Sequence, residues 1–377
     1  MTVAGLIFSN KQEQGFPEMT RRRTTASIPF ACRYRLIDFP LSNMVNSDIT
    51  TIGVVTHYNY QSLMDHIGAG KDWDLARRSG GIKLLPPYVT AYENHAAGKL
   101  YESRLEALMG SANFINRCGA DYIVLSDCDV IMNIDLSDVI EEHIRSEAYI
   151  TLVAKKVNVK DSLFGQNTDV LGVDETGRVT SLSYTAPKKG SYYANTYLMV
   201  VSRADLQNIV SDSIAHRYTS FSSDILTRQI KKKNIHAYLF DGFCASVNSL
   251  ESYFNVSMMM LEDEVRADLF ANTDREIFTK VRNSAPTKYD SSAKVSNSMI
   301  ADGCTIEGEV ENSIIFRGVH VGKGSVIKNC ILLQDTYVGD NVNLNCVVAD
   351  KNVIIKEGRT LSGHETMPFF IDKGATV

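Results

Sequence analysis

Residues 321–344 read VGKGSVIKNCILLQDTYVGDNVNL, and this stretch decides the fold of the C-terminal part of the chain. Aliphatic residues recur here and just before it at a six-residue spacing: Ile300 and Ile306; Ile315 and Val321; then Val326, Leu332, Val338 and Leu344. A six-residue period is typical of a β-helix, whose triangular coils place one aliphatic side chain per face inside the column. Gly322 and Gly339, each after a valine, are predicted at tight corners. We therefore predict a left-handed parallel β-helix of hexapeptide repeats. An ordinary antiparallel β domain is the alternative, but it does not explain four successive aliphatic residues in one register.

The region before the repeats has the pattern of an α/β domain. Val3–Phe8 is a short apolar run that predicts a buried first strand. Similar runs alternate with helical patterns, which indicates a sheet covered by helices; the runs are Ile52–Thr56, Tyr122–Leu125, Ile150–Ala154 and Tyr197–Val201, and the helical patterns are Leu105–Cys118 and Leu136–Arg145. The last helical spacing covers Leu250–Phe270. A chain of 377 residues exceeds what one core organises, so we predict two domains, residues 1–275 and residues 276–377.

Composition excludes several classes of protein. The net charge of -5 argues against general affinity for nucleic acid or anionic membranes. The seven cysteines have neither metal-ligand spacing nor the even number of a disulfide framework, which favours a reducing cytoplasm. The apolar runs are too short for a signal peptide or a membrane span. We therefore expect a cytoplasmic protein.

The segment Phe30–Ser47, FACRYRLIDFPLSNMVNS, carries a long and specific family motif. It resembles the FGGKYRIIDFPLSNCVNS segment of glucose-1-phosphate adenylyltransferases, also called ADP-glucose pyrophosphorylases. The resemblance continues in order along essentially the whole chain, through residues 52–58, 122–129, 172–175 and 247–253. It implies a Rossmann-like, GT-A-like nucleotidyltransferase domain followed by the β-helix. The implied reaction joins ATP and glucose 1-phosphate to give ADP-glucose and pyrophosphate.

Several positions at which the family carries its phosphate-binding chemistry are changed. The glycine-rich, arginine-containing nucleotide loop corresponds to a degenerate segment, whose members are Asn10, Lys11, Gln12, Glu13, Gln14 and Gly15. Because glycines allow close backbone approach and cations neutralise a triphosphate, this loop is not expected to cradle ATP. The family's Lys-Pro pair corresponds to Thr25 and Ala26.

The metal-binding and sugar-binding positions also lack charged residues that the family carries. Asp129 matches the aspartate that holds catalytic Mg²⁺ in the family, but the second metal-binding position is Ser246. One carboxylate is a poor Mg²⁺ site, so we expect no metal in this chain, Mg²⁺ only in a catalytic partner, and Asp129 as a vestige. The sugar-phosphate motif reads Thr185-Ala186-Pro187, and Asp224 is a sugar-pocket remnant.

The degenerate pattern resembles the regulatory, GlgD-type subunits of the family. This resemblance implies that the chain activates a catalytic subunit within a hetero-oligomer, a tetramer, in glycogen biosynthesis. Arg22, Arg23 and Arg35 stand where the family has basic residues for anionic effectors, so they predict a site for a phosphorylated sugar. A run of arginines is equally compatible with a solvated charged face.

Two other functions stay open at this point. The first is an active but unusual adenylyltransferase in which Lys11 or Arg104 supplies the missing positive charge. The second is an acyltransferase or a pure binding module that uses the hexapeptide coils. Such enzymes need a well-placed histidine, and His320 is the one histidine of the main repeat run.

Overall fold

The computed structural model describes residues 1–9, 16–87, 101–161, 163–165 and 168–377. Their N-terminal part forms a nine-stranded mixed sheet of β1 (Val3–Phe8), β4 (Thr51–Val55), β5 (Gly81–Leu85), β6 (Tyr122–Asp127), β8 (Ile150–Asn158), β9 (Val170–Val173), β10 (Val179–Ser183), β11 (Ser191–Ser202) and β12 (Ile235–Phe240). The strand order is β10-β9-β11-β6-β1-β4-β5, and β8 joins β11 to β12. Two small ribbons pair β2 (Pro29–Phe30) with β3 (Tyr34–Arg35) and β7 (Val130–Ile131) with β13 (Ala245–Ser246). The predicted strands are confirmed.

Helices connect these strands. They are α1 (Pro17–Thr20), α2 (Asp38–Asn46), α3 (Gln61–Ile67), α4 (Arg104–Gly110), α5 (Ala112–Arg117), α6 (Leu136–Arg145), α7 (Arg203–His216), α8 (Thr227–Gln229), α9 (Leu250–Met259) and α10 (Asp263–Phe270). The prediction for α6 is confirmed at both ends. Across the described ranges, no helix has the length and apolar character needed to cross a membrane.

Two predicted helices are each divided in the structure. The pattern Leu105–Cys118 breaks at Ser111, whose hydroxyl donates to the carbonyl of Ala107 at 2.8 Å. Serine competes in this way for backbone acceptors and favours helix ends. The pattern Leu250–Phe270 likewise separates into α9 and α10 around Leu261. In both places the apolar spacing continues across the break, so periodicity alone predicted one helix and was wrong.

The C-terminal part is a left-handed β-helix made of three parallel five-stranded sheets, to which each coil contributes one strand per sheet. The first sheet holds β14 (Lys288–Tyr289), β17 (Thr305–Ile306), β20 (His320–Val321), β23 (Tyr337–Val338) and β26 (Ile354–Ile355). The second holds β15 (Lys294–Ser296), β18 (Glu309–Glu311), β21 (Val326–Lys328), β24 (Asn343–Asn345) and β27 (Thr360–Ser362). The third holds β16 (Met299–Ile300), β19 (Ile314–Ile315), β22 (Ile331–Leu332), β25 (Val347–Ala349) and β28 (Phe369–Ile371).

The inward register differs from the predicted one at a single face. Ile327 is fully buried in the column, whereas Val326 is only partly buried. Ile327 pairs with Leu344, and Val321 pairs with Val338, each seventeen residues further on. In a coil of seventeen residues, successive inward residues are six, six and five positions apart. Counting back from Leu344 in steps of six therefore reaches Val326, one residue before the inward Ile327.

Gly322 and Gly339 lie at corners as predicted, between β20 and β21 and between β23 and β24. Gly322 has no positive φ; a Cβ at this position would lie 2.6 Å from the carbonyl carbon of Gly339 in the next coil. Glycine is needed there for close approach between coils. Left-handed corner residues include glycines such as Gly324 (φ 68°) and asparagines such as Asn312 (φ 46°) and Asn329 (φ 50°); both residue types tolerate this conformation. The asparagine amides form a ladder, with Asn312 donating to Asn329 at 2.6 Å and Asn329 donating to Asn345 at 3.0 Å.

Each predicted domain has a buried apolar cluster of its own, and a further cluster spans both domains. The predicted boundary at 275/276 falls between the end of α10 at Phe270 and the start of β14 at Lys288. Residues of the motif segment, of α9 and of the third β-helix sheet pack in a single buried cluster, which includes Phe30, Phe39, Tyr253, Phe254, Ile314, Ile331 and Val348. The β-helix is therefore one wall of the N-terminal domain's core.

Candidate functional site

The carboxyl ends of β1 and β6 form a cleft of the kind in which open α/β sheets bind ligands. The two strands run parallel, and Phe8 lies opposite Asp127. Asp129 follows two residues later and is 1% exposed. Its carbonyl accepts a hydrogen bond from the amide of Val247 at 2.7 Å. In the ribbon of β7 and β13, Ser246 pairs with Val130. The structure therefore brings together the two positions that the sequence assigned to metal binding, and the second of them offers a hydroxyl.

A cation of the chain itself lies in this cleft. Arg104, the first residue of α4, forms a salt bridge with Asp127; the side chains are 13% and 2% exposed. The guanidinium carbon lies 4.4 Å from the ring centroid of Tyr197 and 5.5 Å from that of Phe8. These distances are within the range of cation–π attraction. Arg104 is thus held by one charge and two aromatic faces.

Tyr197 adopts a strained backbone conformation at this point. Its φ of 59° is left-handed, a conformation that costs a non-glycine residue about 1–2 kcal/mol. Burial raises the pKa of its phenol, and the negative charge of Asp169 acts in the same direction. The phenol therefore stays protonated, and the ring covers Arg104.

Within the ranges that the structure describes, no group of three or more His, Cys, Asp and Glu side chains is placed to hold a metal. Asp127 forms a salt bridge with Arg104. A Mg²⁺ ion in a nucleotidyltransferase needs carboxylates that remain available to it.

Of the other predicted positions, Ala26 lies next to this cluster, because its amide and the thiol of Cys128 donate to the same carbonyl of Ser9, at 3.0 and 3.3 Å. Asp224 is in the π-helical turn Phe221–Leu226 and accepts hydrogen bonds from the amides of Ser220 and Thr219, both at 3.0 Å; these bonds lower its pKa. Asp224 therefore caps its own turn. Thr185, Ala186 and Pro187 lie in the connection between β10 and β11, and Thr25 and Ala26 are buried in a 3₁₀ turn. The degenerate loop Asn10 to Gly15 lies outside the described residues.

The arginines of the predicted effector site have three different surroundings. Arg22 is exposed and donates to the carbonyl of Lys373 at 3.2 Å. Arg23 is buried, and its Nη2 donates to both carboxylate oxygens of Asp350 of the β-helix, at 2.8 and 2.6 Å. Arg35 is buried and donates to the hydroxyl of Ser62 at 2.9 Å; burial lowers its pKa to about 10. Only Arg35 of the three lines a pocket described here.

That pocket lies between the two domains and is strongly basic. Its cationic lining residues are Arg33, Arg35, Lys280, Arg282, Arg317 and Lys351. Arg317 also donates to Asp302 at 2.9 Å, and Lys280 donates to the carbonyl of Asp65. The sequence analysis did not predict Lys280, Arg282, Arg317 and Lys351, because they lie far along the chain from the arginine cluster near the N-terminus. Together they form a concave site suited to an anion with several negative charges.

Lys351 makes the stability of the chain depend on pH. Burial lowers its pKa from 10.5 to about 7, and the positive charges of Arg35 and Arg23 add to the effect. Between these two values the unfolded chain binds more protons than the folded chain, so the free energy of unfolding rises with pH. We expect this rise to be smaller in Lys351→Met when urea unfolding is measured from pH 7.5 to 9.5. Equal slopes in the two proteins would contradict the assignment.

Comparison with known proteins finds relatives along almost the whole chain. Residues 16–263 match the nucleotidyl transferase family model, and residues 283–366 match the model of the GlmU-like C-terminal hexapeptide region. The chain is 33% identical to a glucose-1-phosphate adenylyltransferase of Desulfitobacterium hafniense (strain Y51), with 90% of this chain and 84% of that protein covered. It is 32% identical to the glycogen biosynthesis protein GlgD of Bacillus subtilis, with 99% and 96% covered. A glucose-1-phosphate adenylyltransferase of Geobacillus stearothermophilus is 30% identical over 86% of this chain and 82% of its own length.

Proposed function

We propose that this chain, which belongs to the glucose-1-phosphate adenylyltransferase family of nucleotidyl transferases, is a regulatory subunit of such an enzyme in the cytoplasm. In this role it binds a catalytic subunit in a hetero-oligomer, a tetramer, and raises the rate at which the partner makes ADP-glucose for glycogen synthesis. Similarity to GlgD along almost the entire length supports the regulatory role.

The observation that carries the proposal is the pairing of β7 with β13. It places Ser246, and not a second carboxylate, next to the segment that carries Asp129. The cation at the neighbouring Asp127 is Arg104. A nucleotidyltransferase must neutralise developing charge on the phosphates with metal and cationic side chains. A cleft with this composition favours contact with a partner over catalysis.

A regulatory subunit acts through a difference in binding. It activates only if it binds the active conformation of its neighbour more tightly than the inactive one. The β-helix and the helices of the N-terminal domain are the surfaces proposed for that contact. Because the β-helix shares a buried core with the motif segment and α9, a contact on one domain is mechanically linked to the other.

The proposal is tested by measuring rate and mass together. The chain is purified alone, mixed with a catalytic subunit, and assayed for ADP-glucose and pyrophosphate formation with Mg²⁺, while light scattering reports the mass of the complex. We expect negligible turnover alone, a mixed oligomer, and a higher rate in the mixture. Absence of a complex together with an unchanged rate would remove the regulatory role.

A control separates regulation from catalysis by this chain. The catalytic subunit is replaced by a variant that lacks its metal-binding aspartate. The mixture should then produce no ADP-glucose, because this chain supplies no second active site. Turnover that persists in that mixture would instead favour the unusual active enzyme, in which Lys11 or Arg104 neutralises the phosphates.

We further propose that the basic pocket is where a phosphorylated sugar effector binds. Arg35 is its predicted member, and Arg22 is not among its lining residues. Arg35→Met should weaken binding of a sugar bisphosphate, measured by calorimetry, on the order of tenfold or more, because one charge-assisted phosphate contact contributes about 1.5–3 kcal/mol. Arg21→Met is the matched control, since Arg21 is 66% exposed and pairs with Asp372 at the surface. Equal affinities of the two variants would place the effector elsewhere.

A further inference from the structure

The basic pocket holds more positive charge than its surroundings compensate. Six of its lining residues are cationic, and no carboxylate lines it in the part of the chain that the structure describes. Arg317 pairs with Asp302. The carboxylate of Asp350 accepts from Arg23 at 2.8 and 2.6 Å, through both of its oxygens. Buried charges of one sign are costly unless the opposite charge lies beside them. A bound anion would supply the negative charge that the pocket lacks.

The excess positive charge acts strongly on Lys351. This residue lies between β25 and β26 of the β-helix. Three of the four charges with the largest effect on its ammonium group are positive, and they belong to Arg35, Arg23 and Arg282. The fourth belongs to Asp350, whose oxygens already accept from Arg23. Burial and like charges both favour the neutral form of an amine, so Lys351 loses its proton easily while the pocket is empty.

The pKa of Lys351 reflects this environment. Burial, reinforced by the charges of Arg35 and Arg23, lowers it from 10.5 to about 7. Above pH 7 the side chain is therefore mostly a neutral amine in the empty pocket. An anion placed beside it would raise the pKa again, because a nearby opposite charge favours the charged form.

Three other titratable side chains of the pocket stay neutral at pH 8. Burial raises the pKa of the Cys32 thiol to about 12 and also raises the pKa of the Tyr34 phenol. Burial lowers the pKa of His66, whose Nε2 lies 2.6 Å from Asp38. Arg35 has a pKa of about 10 and stays charged. The remaining charged groups that line the pocket or act on Lys351 are Arg23, Arg33, Lys280, Arg282, Arg317 and Asp350.

We propose that a phosphate dianion enters the basic pocket together with a proton, which the amine of Lys351 accepts. The step is a proton transfer from solvent to the amine, and no other bond forms or breaks. The anion and the proton favour each other's binding, and this coupling is reciprocal. The inference rests on the proposed effector site and adds its regulation by pH. Affinity for the effector is highest at and below about pH 7, where Lys351 already carries its proton, and falls as the pH rises above that value.

Calorimetry of the full-length chain measures this coupling. Glucose 1,6-bisphosphate is the probe, and it is titrated at pH 8 in Tris and in triethanolamine, two cationic buffers with different heats of ionisation. The difference between the observed heats gives the number of protons taken up. The phosphates of the probe are already dianions at this pH, because their second pKa is about 6. Wild type should take up about one proton per bound probe, and its affinity should fall by up to about tenfold per pH unit from pH 7.5 to 9.

Substitutions at Lys351 locate the proton. Lys351→Arg introduces a guanidinium that stays protonated at every pH used, so it should bind the probe without proton uptake and with an affinity that changes little from pH 7.5 to 9. Lys351→Met should also take up no proton, and at pH 7 it should bind on the order of tenfold less tightly than wild type. Lys280→Arg is the matched control, because it makes the same exchange at a pocket lysine that donates to the carbonyl of Asp65. It should keep the proton uptake of wild type.

The outcomes separate this inference from the effector site on which it rests. If wild type does not bind the probe at pH 7, the effector site is wrong and the coupling is wrong with it. If wild type binds without proton uptake, the effector site stands and only the coupling is wrong. Uptake that persists in Lys351→Arg would place the proton on another group and overturn the role of Lys351. If Lys351→Arg does not fold, Lys351→Met decides: binding without uptake supports the proposal, and uptake equal to that of wild type contradicts it.

Discussion

Arg23→Met is expected to lower the free energy of unfolding by about 3–5 kcal/mol, the usual effect of removing one partner of a buried ion pair. Arg23 is 5% exposed and its side chain bonds both carboxylate oxygens of Asp350. Asp350 also accepts from the amide of Lys351 at 2.7 Å, but it would lose its buried counter-charge. Because the pair joins the N-terminal domain to the β-helix, the effect should appear in both domains. Urea unfolding followed by circular dichroism and by the fluorescence of Trp73, the single tryptophan, measures it.

Two other substitutions test the cause. Arg21→Met removes a cation two residues earlier whose partner Asp372 is 48% exposed; an exposed pair contributes about 0–1 kcal/mol, so its effect should be small. Arg23→Met combined with Asp350→Asn removes both charges and should recover part of the lost stability. If Arg21→Met destabilises the chain as much as Arg23→Met, burial of the pair is not the reason.

Phe39→Ala is expected to cost about 3–5 kcal/mol, the range for removal of a fully buried phenylalanine. Phe39 is 0% exposed and lies within the shared core. Its ring centroid is 5.7 Å from that of Phe30, 6.2 Å from Tyr34 and 6.1 Å from Phe270. The substitution therefore leaves a cavity between the motif segment and the last helix before the β-helix. The same urea titration measures the loss.

The control for Phe39 is a phenylalanine of the same chain in a different environment. Phe369, at the start of β28, is 42% exposed. Phe369→Ala should cost much less, because the lost transfer free energy scales with the apolar area that is buried. Comparable losses in the two variants would contradict the shared-core interpretation.

Regular patterns in the sequence predicted the elements of the fold well. The bounds of β1 and α6 follow from apolar runs and periodicity, which depend on neighbouring residues only. The break at Ser111 and the inward position of Ile327 were missed because each depends on a local departure from the period. Gly322 was predicted correctly at a corner, but the need for glycine there comes from contact with the next coil, which no local pattern shows.

The contacts of the candidate site were harder to predict from the sequence than the fold. Arg23 was predicted to bind an effector, yet its partner in the structure is Asp350, more than three hundred residues away. The basic pocket draws Lys280, Arg317 and Lys351 from separate elements. Arg104 was considered as a source of charge for phosphates, and the structure instead pairs it with Asp127. Such partners are set by tertiary packing, for which no local pattern exists.

The coil register of the β-helix limits how this domain is able to change length in evolution. Thr305 pairs with His320 fifteen residues on, whereas His320 pairs with Tyr337 seventeen residues on. The shorter coil omits residues at a corner and still stacks in register. Adding one residue inside a strand would turn its inward side chains outward, while a change at a corner leaves every strand aligned. Insertions and deletions are therefore expected to collect along the edges of the prism, and its three flat faces should keep their spacing.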